Sequence, residues 1–490
     1  MKKLFSINEV ENLEIAEVKN LYKNHISKNS TNVLNYFPNG HHLTKSSQGM
    51  YIILEDGIRI LDFTGGNGVL GLGHNHSRVQ NVRKVFNEEN KMEVNKLYFS
   101  KYTAGLAYNL SNLLPPDMSY SFFPNSGAEA IDGALKLAFK YHSGNRQFVL
   151  ASDSAFHGKL IGAGSLTKKN LKFEFQSLPG VLRYKFNDID SIEDIIEDNK
   201  NKIYALVLEP YSASTLNETN TNNLLRIREL SSKYKIVLIY DEVYTGWAKV
   251  GNLMNFMRFC SEDINFKNCL QNCLCKNISP DILVLSKTLG GGKASISAFV
   301  TRKEIYEKAY KNTDDFSLHT TTYSGFSEEV ATAIEAINTI VEEDYVAKMR
   351  KISSQMEERL EVAQIKFPTK IKKIHGKDLI RGIEINFDIF YKNKSKFISF
   401  NSSLKNKRFF EKIIVASYVS YLYEVHHILV GVIESEVPMI RISPSNIATE
   451  NEIKIFFDSL EEMFSKNQTN ILLKFLKSNF KYKVVNELFS

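Results

Sequence analysis

The sequence predicts an α/β fold, in which a mostly parallel sheet forms a large domain beside an α+β small domain. Short apolar runs rich in Val, Ile and Leu alternate with helical patterns through the middle of the chain. Continuously apolar strands of this kind are typical of a parallel sheet that helices cover on both faces. Residues 1–60 and the stretch after residue 345 do not alternate in this way, which indicates α+β structure outside the main sheet.

The clearest strand patterns are QFVLAS (147–152), ALVLEP (205–210), IVLIYDEV (236–243) and DILVLSK (281–287). Helical patterns accompany them at 129–142, 224–234 and 328–360. Further along, a strand end and an amphipathic helix are predicted at MIRISP (439–444) and NEIKIFFDSLEEMF (451–464). Open sheets of this type bind ligands beyond the carboxyl ends of their strands, so functional residues are expected where these runs end.

The predicted domain organisation has a large and a small domain. Residues 61–345 form the large domain, and residues 1–60 and 346–490 contribute to the small domain. The large domain carries a cysteine-containing insertion at about 252–280. The sequence has no internal repeat and no low-complexity linker, which indicates that these parts form one compact unit.

Charge and hydropathy argue against several classes of protein. The net charge of +7 is spread along the chain without a basic stripe, which favours a solvated surface over nucleic-acid binding. No apolar run reaches the ~18 residues of a membrane span, so no membrane partner is expected. The first residues lack the apolar core and cleavage site of a signal peptide, and a cytoplasmic location is the expectation.

A lysine followed by three glycines ends the last of the four apolar runs, in SKTLGGGK (286–293). An amine at a strand end can form an imine with an aldehyde cofactor, provided that desolvation or nearby charge lowers its pKa. Taken alone, the motif more often marks a glycine-rich surface turn. Lys287 therefore becomes a candidate only in combination with other motifs.

Two further strand ends and one helix start carry residues suited to such a cofactor. Asp241 follows the run of IVLIYDEVYTG (236–246), and either a protonated pyridine nitrogen opposes its charge or it caps the next turn. Ser126 precedes a helical pattern, where the N-terminus binds phosphate or the serine is an ordinary N-cap. Phe156, in DSAFHGKLIGAGSLT (153–167), is either an aromatic that stacks on a pyridine ring or a core residue.

Taken in order, NSGAEA, AFHGK, LEP, YDEVYTG, SKTLGGG, TTTYSG and MIRISP resemble the class III aminotransferases, which are fold-type I enzymes dependent on pyridoxal 5′-phosphate (PLP). The resemblance covers about residues 45–465. It implies a transaminase that moves an amino group between an amino acid or amine and a 2-oxo acid. An epimerase, an aminomutase or a decarboxylase on the same scaffold would share these motifs, and a non-catalytic regulatory homologue is a more distant alternative.

The resemblance also implies a role for each matching residue. Lys287 would hold PLP as a Schiff base and shuttle the proton, and Asp241 would pair with the protonated pyridine nitrogen. The other implied cofactor contacts are a phosphate cup and a ring-stacking aromatic with its neighbour, namely Ser126, Gly127, Ala128, Phe156 and His157.

Two residues of the family pattern imply a partner subunit and a substrate. Thr322 matches the threonine that reaches the cofactor phosphate of a neighbour, which implies a homodimer with shared active sites. Arg441 matches the arginine that binds a substrate carboxylate. The family usually has Gln where Tyr244 stands, and many members have Glu where Ser214 stands, which indicates an altered substrate range.

All four cysteines lie between the Asp241 and Lys287 motifs, as Cys260, Cys269, Cys273 and Cys275. Four soft ligands this close together suit a [4Fe–4S] cluster or zinc, with the cluster slightly favoured. Their spacing matches no common zinc-ribbon pattern, and packed thiols or a redox-labile pair are the alternatives.

Overall fold

The computed structural model describes residues 4–93, 97–168, 178–260, 274–392, 397, 402–434 and 437–480. In these ranges the strands are β1 (Thr44–Gln48), β2 (Tyr51–Leu54), β3 (Arg59–Asp62), β4 (Met118–Phe122), β5 (Phe148–Ser152), β6 (Val181–Tyr184), β7 (Ile203–Leu208), β8 (Tyr211–Ser212), β9 (Asn217–Glu218), β10 (Val237–Asp241), β11 (Ile282–Leu285), β12 (Ala298–Arg302), β13 (Ile371–Lys377), β14 (Ile380–Ile385), β15 (Ile428–Leu429), β16 (Gly431–Glu434) and β17 (Pro438–Ile442).

The α-helices of the same ranges are Ile7–Glu11, Ile15–Leu21, Lys28–Leu34, Ser77–Glu88, Lys101–Leu113, Gly127–Tyr141, Ile161–Leu166, Ile189–Asp198, Thr221–Tyr234, Leu274–Ile278, Lys303–Ala309, Ser327–Glu342, Tyr345–Lys366, Asp388–Tyr391, Lys407–His426, Glu450–Ser465 and Gln468–Phe480. Shorter helical turns are Tyr22–Ile26, Pro38–His41, Gly65–Gly68, Asn255–Met257, Lys287–Gly290, Thr313–Ser317 and Ser402–Lys405. Among the described helices, none is long and apolar enough to cross a bilayer.

Seven strands form the central sheet, in the order β4-β12-β11-β10-β7-β5-β6. The neighbours from β11 to β6 pair in parallel, and β12 runs antiparallel to both of its neighbours. The four strands predicted from apolar runs lie side by side in this order. Every residue of β10 and β11 is buried, as a sheet covered on both faces requires. The expected α/β fold with a mostly parallel sheet is confirmed.

Alternate residues of the central strands enter separate apolar clusters on the two faces of the sheet. In β10, Leu238 and Tyr240 belong to one cluster, whereas Val237 and Ile239 belong to the other. Burying each large aliphatic side chain contributes about 1.5–3 kcal/mol. Because β10 is anchored from both sides, the residue at its carboxyl end, Asp241, is held in a fixed position.

The predicted helix over 328–360 is wrong as a single element. It consists of two helices, Ser327–Glu342 and Tyr345–Lys366, separated at Asp344. Asp344 has a left-handed φ of 45°, and its side chain accepts a hydrogen bond from the Ala347 N–H at 3.0 Å, which caps the second helix. The apolar spacing continues across the break, so periodicity alone does not reveal it.

Two four-stranded sheets lie outside the central one, as expected for the ends of the chain, and β8 pairs with β9 in a separate two-stranded sheet. One four-stranded sheet has the order β1-β2-β3-β15 and the other β13-β14-β17-β16. The parallel pair of β3 with β15 joins an early segment to a late one. A separate apolar cluster fills this region, with the Phe63 and Phe456 rings stacked at 4.3 Å. The proposed domain boundaries at residues 60 and 345 stay a prediction.

Candidate active site

Lys287 follows β11 and begins the helical turn Lys287–Gly290. Its backbone has a left-handed φ of 49°, a conformation that non-glycine residues adopt at a cost of roughly 1–3 kcal/mol and that is concentrated at functional sites. The pKa of Lys287 is lowered from 10.5 to about 7, mainly by burial; Asp241 and Glu209 oppose the shift and Arg441 adds to it. Roughly half of an amine with this pKa is neutral near pH 7, and the neutral form is the one that acts as a nucleophile.

Asp241 ends the neighbouring strand and is buried. Its Oδ2 lies 2.8 Å from Nδ1 of His157, and its Oδ1 accepts a hydrogen bond from the Val243 N–H at 3.0 Å. A carboxylate has lone pairs for about four hydrogen bonds, so these contacts orient Asp241 and leave acceptor capacity for another donor. In the parallel register Asp241 lies opposite Val284, which places it near the start of the Lys287 turn.

The helix Gly127–Tyr141 begins next to these strand ends. The Ser126 hydroxyl accepts a hydrogen bond from the Glu129 N–H at 3.3 Å, and the Glu129 carboxylate accepts one in return from the Ser126 N–H at 2.9 Å. A Cβ on Gly127 would lie 3.0 Å from Cγ2 of Val243, so this helix start approaches the Asp241 loop closely. The first-turn N–H groups of Gly127 and Ala128 have no helical carbonyl to bind and suit a phosphate.

Glu209 is a functional candidate to which the sequence patterns assign no role. It directly follows β7 and accepts a hydrogen bond from the Phe156 N–H at 3.1 Å. Burial raises the pKa of Glu209 to about 7, with Asp241 adding to the rise and His157 and Lys287 opposing it. Its position after an apolar strand is the same signal that identifies Asp241. The Phe156 side chain itself is 49% exposed, which leaves its ring accessible.

Arg441 lies within β17 of a small sheet, and its Cζ is 5.8 Å from the centroid of the Tyr244 ring. Its guanidinium donates a hydrogen bond to the side-chain oxygen of Asn67, in a glycine-rich turn where Asn67 has a left-handed φ of 58°. The Ser214 hydroxyl contacts the Ser212 hydroxyl at 3.0 Å and the Ser154 carbonyl at 3.4 Å. Asn67 is therefore a contact of Arg441 that the motifs do not indicate.

Lys249 is a second buried amine near the site. It is 1% exposed, and its Nζ donates a hydrogen bond to the Pro444 carbonyl at 2.6 Å. Burial lowers the pKa of Lys249 to about 7, Asp62 opposes the shift, and Arg441 and Lys287 reinforce it. In the sequence this lysine stands in a turn, GWAKVG (246–251), that gives no sign of burial.

Thr322 lies on the surface, in a segment that packs against the residue preceding the phosphate-cup motif. Asn125 donates a hydrogen bond to the Tyr323 carbonyl at 3.0 Å and accepts one from the Thr321 hydroxyl at 2.9 Å. Thr322 also lines a cleft of about 390 Å³ together with Tyr98 and Phe99, whose side chains are exposed.

The donors and acceptors at the strand ends fit PLP. In the described part of the chain, Oη of Tyr244, Nε2 of His157 and Nε of Arg441 are buried without a hydrogen-bond partner. Such atoms are costly unless a ligand or water satisfies them. Together with a near-neutral lysine, a buried carboxylate and an open helix N-terminus, they match the aldehyde, ring nitrogen and phosphate of this cofactor.

The cysteine motif lies only partly within the described residues. Sγ of Cys260 and Sγ of Cys275 are 3.0 Å apart and both residues are buried. Cys269 and Cys273 lie outside the described residues. Among the described residues, no group of three or more His, Cys, Asp or Glu could hold a metal ion.

Solved transaminases share this fold. An ornithine aminotransferase from Toxoplasma gondii ME49 matches with a TM-score of 0.73 and 20% identity, covering 94% of this chain and 99% of that one. An S-selective transaminase from Arthrobacter sp. matches with a TM-score of 0.73 and 19% identity, covering 93% of this chain and 98% of that one. A transaminase with L-ala matches with a TM-score of 0.71 and 22% identity, covering 86% of this chain and 98% of that one. The fold is that of the fold-type I aminotransferases.

The chain belongs to the class III aminotransferase family, which matches residues 36–464. It is a PLP-dependent transaminase, and its substrates are an amino donor and an oxo-acid acceptor. The family resemblance and the enzyme class expected from the sequence are thereby confirmed.

Proposed function

We propose that Lys287 is the residue through which this transaminase binds PLP and that Asp241 supports the pyridine ring. The observation that carries the proposal is that Lys287 has a pKa of about 7 and lies just beyond the end of β11, the strand that pairs with the strand of Asp241. The reaction moves an amino group between an amino acid or amine and a 2-oxo acid. The presence of both Lys287 and Asp241 argues against a non-catalytic role, since a binding module would need neither.

Each side chain contributes a separate task. When bound, PLP supplies an aldehyde that reacts with amines and a protonated ring that withdraws electrons from the substrate carbon. Lys287 presents an amine that is neutral above about pH 7 and can take and return a proton at Nζ. Asp241 offers a negative charge to the ring nitrogen, and His157 keeps that carboxylate oriented.

The remaining residues would bind and orient. Ser126, Gly127 and Ala128 form a helix N-terminus suited to the phosphate, and the accessible Phe156 ring suits stacking on the pyridine. Arg441 offers a planar fork for a substrate carboxylate.

The experiment is a Lys287→Ala substitution, with turnover followed by pyridoxamine formation against a panel of amino acids. The yellow absorbance of the protein and its turnover should be lost together. Lys293→Ala is the matched control, because Lys293 is an exposed lysine in the same glycine-rich segment. A Lys287→Ala variant with normal turnover would refute the assignment.

We also propose a homodimer in which Thr322 completes the phosphate site of the partner. The exposure of Thr322 supports this arrangement, as do the exposed side chains of Tyr98, Phe99 and Tyr323 around it. Large apolar side chains grouped at a surface are typical of a protein interface. The cytoplasmic location stays a prediction.

A metal centre bound by the four cysteines is a separate proposal. Their confinement to residues 260–275 supports it, together with the adjacent sulfur atoms of Cys260 and Cys275. Elemental analysis after anaerobic purification should find stoichiometric iron or zinc, and Cys273→Ser should lower that content while PLP still binds. Protein without iron or zinc would return the cysteines to ordinary packing.

A further inference from the structure

The Tyr244 ring lies close to two basic side chains to which the proposed mechanism gives a role, Lys287 and Arg441. Nζ of Lys287 is 3.6 Å from the centroid of the Tyr244 ring, and Cζ of Arg441 is 5.8 Å from the same centroid. Both distances are within the ~6 Å over which an aromatic face attracts a cation. One ring therefore contacts the catalytic amine and the carboxylate-binding side chain.

The surroundings hold this ring in place. A Cβ on Gly68 would lie 3.1 Å from Cζ of Tyr244, and Gly68 has a φ of 91°, so the glycine lets the ring approach the backbone. Tyr244 also packs against an apolar cluster that includes Val250 and Met439. The ring is thus part of the fixed framework, whereas lysine and arginine side chains have several rotatable bonds.

We propose that Tyr244 is a positioning residue whose ring holds the Lys287 ammonium and the Arg441 guanidinium on one aromatic platform. Binding of a carboxylate to Arg441 then alters the protonation of Lys287. This inference rests on the proposed roles of Lys287 and Arg441. It assigns a purpose to a tyrosine at a position where the family usually has glutamine.

The charges around Lys287 determine the direction of the effect. Asp241 and Glu209 stabilise its ammonium form, whereas Arg441 and the buried Lys249 repel it. His157 acts on it through its contact with Asp241. The Tyr244 ring adds a stabilising contribution that offsets part of the repulsion. A carboxylate on Arg441 removes one repelling charge, and the proton affinity of Nζ then rises as the substrate arrives.

The first test measures the Lys287 amine in the full-length apoenzyme by competitive acetylation over a pH series, with the labelled peptide quantified by mass spectrometry. Tyr244→Leu and Tyr244→Met remove the ring, and each should move the labelling midpoint down by roughly one pH unit. Tyr244→Phe keeps the ring and should leave the midpoint unchanged. Thermal melts establish that the variants are folded, and two ring-free variants guard against the failure of one.

The second test adds butyrate, a carboxylate with neither an amino nor an oxo group. In the parent apoenzyme it should raise the Lys287 labelling midpoint, and Arg441→Gln should abolish that response. An unchanged labelling midpoint in both ring-free variants would refute the role of the Tyr244 ring. A Tyr244→Phe midpoint as low as that of the ring-free variants would refute it as well. A parent midpoint that ignores saturating butyrate would overturn the coupling. These labelling measurements do not depend on amino transfer. A negative result here would therefore refute the role of Tyr244 without refuting the proposed function.

Discussion

At the level of single residues, the site consists of charges held out of water and balanced against each other. Lys287 and Lys249 each have a pKa lowered to about 7 by burial, and Glu209 has one raised to about 7 for the same reason. Groups with strongly perturbed pKa values, gathered at one place, are typical of active sites. Asp241 is buried in the same region, and its carboxylate lies 2.8 Å from His157.

Asp241→Asn removes the negative charge proposed to face the pyridine nitrogen while keeping the size of the side chain. We expect kcat to fall by roughly 10²–10³-fold, the loss that follows removal of one preorganised electrostatic partner. Asp153→Asn is the control, because Asp153 follows β5 at the same edge of the sheet but is exposed. A kcat within a few-fold of the parent would show that Asp241 does not serve the cofactor.

Lys249 predicts a pH dependence of stability. Its pKa is about 7 in the folded chain and 10.5 without the protein environment, so the unfolded chain binds more protons between these values. The contribution of Lys249 to the free energy of unfolding should therefore rise with pH across that window, by up to about 1.4 kcal/mol per pH unit. Lys249→Met should lose this slope.

Urea unfolding at several pH values between the two pKa values measures that slope. Lys293→Met provides the comparison, since Lys293 is exposed and its replacement should leave the pH dependence as in the parent. If the free energy of unfolding depended on pH equally in Lys249→Met and the parent, the lowered pKa of Lys249 would be contradicted.

At the level of elements, strand ends are what the sequence predicts best. The apolar runs before Asp241 and Lys287 identify β10 and β11, because a buried parallel strand needs apolar residues on both faces. The break at Asp344 escapes prediction, since helical spacing resumes after it. Asn67 and Lys249 also escape it, because their positions follow from contacts with Arg441 and Pro444 that are remote in sequence.

Gly127→Ala tests the close approach of the helix start to the loop after β10. The added methyl would lie 3.0 Å from Cγ2 of Val243 and should push the helix N-terminus away from the phosphate position. We expect weaker PLP binding, measured by cofactor retention on ultrafiltration. Val243→Ala in the same chain frees space and should restore part of the affinity. Equal retention by the single variant and the parent would place the phosphate elsewhere.

At the level of the whole molecule, the sequence order of motifs reveals the family, but no single motif does. The chain shares its fold with transaminases that are only 19–22% identical to it. Arg441 belongs to a small sheet and Lys287 follows a strand of the central sheet, yet both side chains lie close to the ring of Tyr244. The spacing of residues along the chain does not predict that Arg441 and Lys287 lie close together, because their proximity depends on how the sheets pack.

A mixed dimer of Lys287→Ala and Thr322→Ala subunits tests the shared active site. If Thr322 serves the neighbour, one site of each heterodimer carries both lesions and the other carries none. Mixing two weak parents should then produce activity, up to half that of the wild-type dimer for each heterodimer. Differently tagged subunits allow the heterodimer to be purified before assay. Sedimentation of an active monomer would refute the arrangement.

The segment that follows β17 has a consequence for how the enzyme is made on the ribosome. Its Ser443 N–H donates to the Phe63 carbonyl at 2.7 Å, and the Asn446 side chain donates to the Ala248 carbonyl at 2.6 Å. Lys249 reaches the same segment through Pro444. A nascent chain that already displays Lys287 therefore still lacks Arg441 and the segment that joins early and middle residues. We expect stalled chains ending before residue 438 to retain no cofactor, and release of the complete chain to be the moment at which the enzyme turns yellow.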